Sequence, residues 1–218
     1  MSRSDSPDNR HSIVVPGTGR VSVEPDVATL RLGVLVVRQT AAAAREAAAV
    51  TMTAVLDALA SRGVAKRDLR TALLSLSPLT DYSSDKGPRV TGYQGANAVS
   101  VTVRDLALAG ALIDAALGAG ATSMDGLDFH VDDPSAAEEK ARQAAIADAR
   151  RRAATIAAAA GVTLGAVIGV IEGESGGGPA PYPSARAFAL KAEAADTPVE
   201  AGSQEIVVNV SVAFAIDG

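Results

Sequence analysis

The sequence predicts an α+β fold, with antiparallel or mixed sheets packed by three main helices. Three observations carry this. First, the C-terminal segment alternates strictly: Ile206, Val208, Val210, Val212, Phe214 and Ile216 share one face, while Glu205, Asn209 and Ser211 fall on the other. Period two over this length means a strand with one well-buried face. Second, alanine-rich stretches repeat apolar residues at helical spacing. Third, strand-like runs come in adjacent pairs, so hairpins sit beside helices.

The elements follow in the order β-β-α-β-β-α-β-α-β-β. Residues 1–11 are polar and read as a disordered tail, leaving 12–218 for the domain. Ile13 to Val15 start a first strand, which Pro16-Gly17-Thr18-Gly19 is expected to bend or interrupt. A second strand spans about Val27 to Val37, with Ala28, Leu30, Leu32, Val34 and Val36 on one face. Thr40 supplies an N-cap to a helix carrying Ala48, Met52, Val55 and Leu59, and Gly63 ends it.

Two strands over 69–81 and 89–103 flank a polar turn, with Tyr93, Val99, Val101 and Val103 on a common face. Asp105 caps a second helix ending near Gly118 or Gly120, and a strand covers about Ser123 to Val131. Asp133-Pro134 opens the longest helix, with Asp133 as N-cap and Pro134 at the first helical position, where its missing N–H costs nothing. Ala141, Ala145, Ala149, Ile156 and Ala160 are expected to pack inward, and Gly161 to stop the helix. A strand over about Ala166 to Glu172 precedes a Gly/Ala/Pro-rich stretch at 174–203, and the final strand closes the domain.

Composition excludes several function classes. The chain has no cysteine, so disulfides, thiolate metal sites and cysteine nucleophiles are ruled out. A net charge of −5 argues against a nucleic-acid partner, which needs a concentrated basic face. Arg150, Arg151 and Arg152 form a basic run, but three consecutive helical residues point in different directions. Aromatic residues are 3% of the chain, so the core must be built from Ala, Val, Leu and Ile, and stability must come from extensive contact. No segment approaches the ~20 apolar residues of a membrane-spanning helix. The polar start lacks the apolar run of an export signal, so the chain as given reads as cytoplasmic; a removed signal would make it periplasmic or exported.

Several segments, in this order, resemble the SIMPL family, a domain of unknown function that includes bacterial periplasmic immunogenic proteins. Gly17-Thr18-Gly19 and Pro25-Asp26 resemble its opening GxG and PD, and Asp68-Leu69-Arg70-Thr71 its DIxT strand start. Gly92-Tyr93-Gln94-Gly95-Ala96-Asn97, then Val103-Arg104-Asp105-Leu106, continue the match, as do Asp133-Pro134, Ala147-Asp148-Ala149-Arg150 and Gly161-Val162-Thr163-Leu164-Gly165. The resemblance covers about Ser12 to Ile216. It implies the fold and a tendency to form oligomers, ring- or channel-like in some members. Exported members are associated with stress tolerance, and a eukaryotic relative is linked to kinase signalling. No catalytic residue follows from it.

The residues themselves offer few chemical sites. His130 lies near Asp125, Asp128, Asp132 and Asp133. On a strand, Asp128, His130 and Asp132 share a face, which suggests a metal ligand set or an oriented base; a solvated strand edge plus a helix cap explains the same residues. Gly17-Thr18-Gly19 lacks the full phosphate-binding pattern and no helix follows it, so a bend or bulge explains it. Glu24 and Asp26 flank a turn proline. The 174–203 arm carries Tyr182, Phe188 and Leu190 among small residues, anchors suited to oligomer or partner contact; a mobile surface loop with a short strand near Arg186 to Leu190 explains the same stretch equally. The reading is therefore a non-enzymatic, self-associating module, a scaffold or stress-associated binder, with no cofactor, no metal and no identified small-molecule ligand. The alternatives are an enzyme using His130 and its carboxylates, and a ring- or channel-like assembly at a membrane.

Overall fold

A computed structural model describes residues 11–83, 87–173 and 199–217. They divide into two compact units, one holding 11–24, 133–173 and 202–217, the other 25–132 with 199–201.

The first unit is a three-stranded antiparallel sheet under one helix. Its strands are β1 (Ser12–Val23), β6 (Thr163–Glu172) and β7 (Gln204–Asp217), in the order β1-β7-β6. The alternating strand β7 is central, and Val208, Val210, Val212 and Phe214 are buried, as its period-two pattern requires. Helix α3 (Ser135–Ala160) covers that face. Pro134 already has helical angles, φ −78° and ψ −5°, and Asp133 Oδ1 accepts from the Ser135 N–H at 3.0 Å, so the expected cap works one residue ahead of the regular helix. Gly161, at φ 71°, ends the helix in the left-handed conformation that glycine takes without penalty.

Two expectations for this unit need correction. The inward stripe of α3 is Ala137, Ala141, Ala145, Ala149, Ala153 and Ala157; Ile156 is 45% exposed and Ala160 is also exposed. A row spaced by four winds slowly round a helix, so by residue 156 the buried direction has moved on to Ala153 and Ala157. The second correction concerns Gly17 and Gly19. They neither bend nor interrupt β1, which pairs with β7 in unbroken register from Ser12↔Ala215 to Val23↔Gln204. Their role is close approach. A Cβ on Gly19 would lie 1.8 Å from the Ala141 carbonyl oxygen, and one on Gly17 2.1 Å from that of Ala145.

The second unit is a four-stranded antiparallel sheet: β2 (Val27–Arg38), β3 (Leu69–Asp81), β4 (Arg89–Val103) and β5 (Ser123–His130), ordered β3-β4-β2-β5. Helices α1 (Ala41–Ser61) and α2 (Ala109–Gly118) cover one face. Thr40 Oγ1 accepts from the Ala43 N–H at 3.2 Å, the cap its position predicts. The core holds Ala28, Leu30, Leu32 and Val34 of β2, Met52, Val55 and Leu59 of α1, Val99, Val101 and Val103 of β4, and Leu112, Ile113 and Ala116 of α2. The close-approach device recurs here: a Cβ on Gly95 of β4 would lie 2.7 Å from the Ala44 carbonyl oxygen of α1. α2 is preceded by a single 3-10 turn, Leu106–Leu108, and Asp105 accepts from the Ala107 N–H. Among the described residues, no helix is long and apolar enough to cross a membrane.

Candidate functional site

The carboxylates around His130 do not converge on it. β5 ends at His130, so Asp132 lies beyond the strand that was to align them. Its Oδ2 accepts from Arg104 Nη1 at 2.8 Å, and its backbone N–H donates to Asp26 Oδ1 at 2.8 Å. Asp128 faces Arg31 at 3.5 Å, and His130 Nδ1 lies 3.3 Å from the Asp128 carbonyl oxygen. Asp133 is committed to the helix cap; its bonds from Ser135 hold its carboxyl below the ordinary aspartate range. Among the described residues, no group of three His, Cys, Asp or Glu side chains could hold a metal ion.

Chemical groups gather instead where α1 ends. Gly63 stops the helix with its N–H on the Ala60 carbonyl, and the chain turns through Val64 and Ala65 into a 3-10 turn at Lys66–Asp68. That turn delivers Asp68 beneath the end of β4. Its side chain is only 8% exposed, and burying a carboxylate this deeply requires a charged partner. Arg104, just past β4, supplies it: Nε donates to Asp68 Oδ1 at 3.0 Å while Nη1 holds Asp132. The bonds it donates to Asp132 and then Asp68 raise the pKa of the Arg104 guanidinium above its ordinary value. Arg67 stands 3.9 Å from Asp68 Oδ2, and Arg62 lies nearby. These groups rim a cleft of about 220 Å³ whose apolar lining includes Val64, Val103, Leu108 and Leu112.

The sequence carried a signal for this cluster: Arg62, Lys66 and Arg67 fall within six residues directly after a helix stop. The basic run Arg150–Arg152 makes no such cluster, because Arg151 and Arg152 both fold back onto Asp148, at 2.8 and 2.9 Å. Asp148 Oδ2 also accepts the Thr18 backbone N–H of edge strand β1 at 3.1 Å. That bond, then Arg152 and Arg151, holds the Asp148 carboxyl below its ordinary range. Tyr182, Phe188 and Leu190, the expected contact residues, lie outside the described residues.

Comparison with known proteins gives one consistent result. The family model SIMPL, described as a protein of unknown function (DUF541), matches residues 13–214. The 26 kDa periplasmic immunogenic protein of Brucella melitensis is 36% identical over 210 residues, covering 94% of this chain and 84% of that protein. The uncharacterized protein YggE of Escherichia coli K12 is 35% identical over 154 residues, 71% of this chain and 62% of YggE. The YggE of Edwardsiella ictaluri is 32% identical over 167 residues, 77% of this chain and 70% of that protein. With a family model spanning nearly the whole chain and a relative this similar along most of its length, the chain belongs to the SIMPL family.

Proposed function

We propose that this protein is a non-enzymatic, self-associating binding module that works in the periplasm. One observation carries the self-association: two long edge strands present apolar side chains to solvent. In β3, Leu73, Leu74 and Leu76 are 50%, 72% and 43% exposed. In β6, Val167, Ile168, Val170 and Ile171 are all exposed, Ile171 at 71%. Each large apolar side chain left in water forgoes ~1.5–3 kcal/mol that burial would supply. An edge strand also offers unpaired backbone groups, which soluble proteins normally cover or blunt. A second copy is the simplest partner. Antiparallel pairing of β3 with a second copy about a two-fold would set the start of one strand beside the end of the other and cover both apolar edges at once. The 174–203 arm with Tyr182, Phe188 and Leu190 is a further proposed contact.

The periplasmic setting draws on the names of the Brucella relatives. Those names favour export over the cytoplasmic reading of the polar N-terminus. The scaffold or stress-associated role rests on the family resemblance alone.

Light scattering coupled to size exclusion tests the assembly. The wild-type chain should elute as an oligomer, and Leu74→Lys with Leu76→Lys should lower its mass while leaving the circular dichroism unchanged. Deleting residues 176–192 tests the arm in the same assay; an unchanged mass would leave the strand edges as the interface. A wild-type chain that stays monomeric at high concentration refutes self-association by either route.

A further inference from the structure

We infer that the cleft between the end of α1 and the end of β4 binds a small organic anion with an apolar body. The inference is independent of self-association and rests on three properties of the site.

The first is a surplus of positive charge. Arg62, Arg67 and Arg104 line the cleft with a single acidic residue, Asp68. Arg104 also pairs with Asp132, which Asp26 holds in turn, and Asp105 caps the following turn, but none of these three acids lines the cleft. Arg67 is 80% exposed and sits at 3.9 Å from Asp68, too far for a strong hydrogen bond. In a chain of net charge −5, a local excess of this sign runs against the background.

The second is preorganisation. Arg104 is clamped through Nε and Nη1 by two carboxylates, one of them buried, so its guanidinium plane is fixed before any ligand arrives. Its Nη2 donates to no group among the described residues. A guanidinium held this way offers a spare donor to a carboxylate or phosphate oxygen without losing side-chain freedom on binding.

The third is the lining. Val103 and Leu112 are 2% exposed and form a rigid apolar floor, while Leu108, 41% exposed, forms part of the rim. A bare inorganic anion would gain nothing from this floor. A compact hydrocarbon body attached to the anion would. The volume, about 220 Å³, falls below the ~300–1,000 Å³ typical of drug-sized ligands, so the body must be small, of the order of a benzene ring or a short acyl chain.

Benzoate is the direct probe, titrated into the isotopically labelled full-length chain and followed by NMR. Saturable shifts should concentrate at Val64, Val103, Leu108 and Leu112. Acetate, which lacks the apolar body, and benzamide, which lacks the charge, should each bind at least tenfold more weakly. The double variant Arg62→Gln, Arg67→Gln should also lose at least tenfold in affinity, and both arginines are surface groups whose loss leaves the Asp68–Arg104 pair intact. Leu108→Asp, on the exposed rim, should weaken benzoate further by setting a like charge beside it. The inference is overturned if benzoate shifts do not saturate, if they scatter over arginines elsewhere, if acetate matches benzoate, or if the double variant binds unchanged.

Discussion

Gly19→Ala should destabilise the first unit far more than an ordinary Gly-to-Ala change. The new Cβ would lie 1.8 Å from the Ala141 carbonyl oxygen and 2.6 Å from the Ala145 nitrogen. Both are backbone atoms of α3, so no rotamer can relieve the clash. Reaching the 3.0 Å floor of real Cβ contacts requires the helix to retreat by about 1.2 Å. A gap of 0.5–1 Å already forfeits roughly a quarter to a half of each contact's attraction. The stripe facing β1 and β7 consists of alanines, with no long side chain to refill the space. The cost should therefore reach the upper end of the overpacking range, about 3 kcal/mol or more. Urea unfolding followed by circular dichroism gives the magnitude, and hydrogen exchange over residues 135–160 localises it to α3. Gly118→Ala is the control: it lies in α2 with nothing within 4 Å and should be neutral or slightly stabilising. A Gly19→Ala protein with an unchanged urea midpoint and unchanged exchange in α3 would refute the close-packing account.

Val210→Asp places an unpaired charge at a position 5% exposed on the central strand β7, and should cost on the order of 3 kcal/mol or more; a soluble variant with the wild-type melting temperature would contradict the central placement. Asp148 titrates below its ordinary value of 3.8 because Thr18, Arg152 and Arg151 favour the charged form, so its stabilisation is complete above that value and is lost as pH falls through the lower folded-state pKa. The stability difference between wild type and Asp148→Asn should accordingly be constant near neutrality and shrink between about pH 5 and pH 2; a difference that grows on acidification would reverse the assignment.

Much of the fold was legible because its elements carry local signals. Period two marked β2, β4 and β7, and the bounds 69–81 and 89–103 of the second hairpin match β3 and β4. Thr40 and Gly161 marked helix ends through cap chemistry that acts within a few residues. What was not legible depends on three-dimensional approach. Gly17 and Gly19 looked like chain-breakers because glycine usually signals a turn; their use as gaps for a helix backbone shows only once α3 lies across β1. The inward stripe on α3 past Ala149 is not legible in the sequence, because in an alanine-rich helix nearly every face can be buried and only the crossing direction decides which one is.

The residues that carried the family resemblance also turn out to have packing duties. Gly17, Gly19 and Gly95 admit helices, Asp26 holds the Asp132 backbone, Asp68 anchors Arg104, and Asp148 covers an edge N–H. Motifs of this kind identify a fold and leave the activity open, because function resides in surfaces grafted on it. The pattern that points beyond the fold is of another sort. Ala72-Leu73-Leu74 in β3 and Ala166-Val167-Ile168 in β6 are continuous apolar runs, not alternations. Each run falls where the register with the neighbouring strand shifts, so consecutive side chains depart from the strict alternation of the pleat. In this chain both strands lie at sheet edges with those side chains in solvent. Burying them takes a surface that the described residues of one chain do not supply. Apolar side chains exposed along two sheet edges are thus the physical reason to look for the partner at β3 and β6.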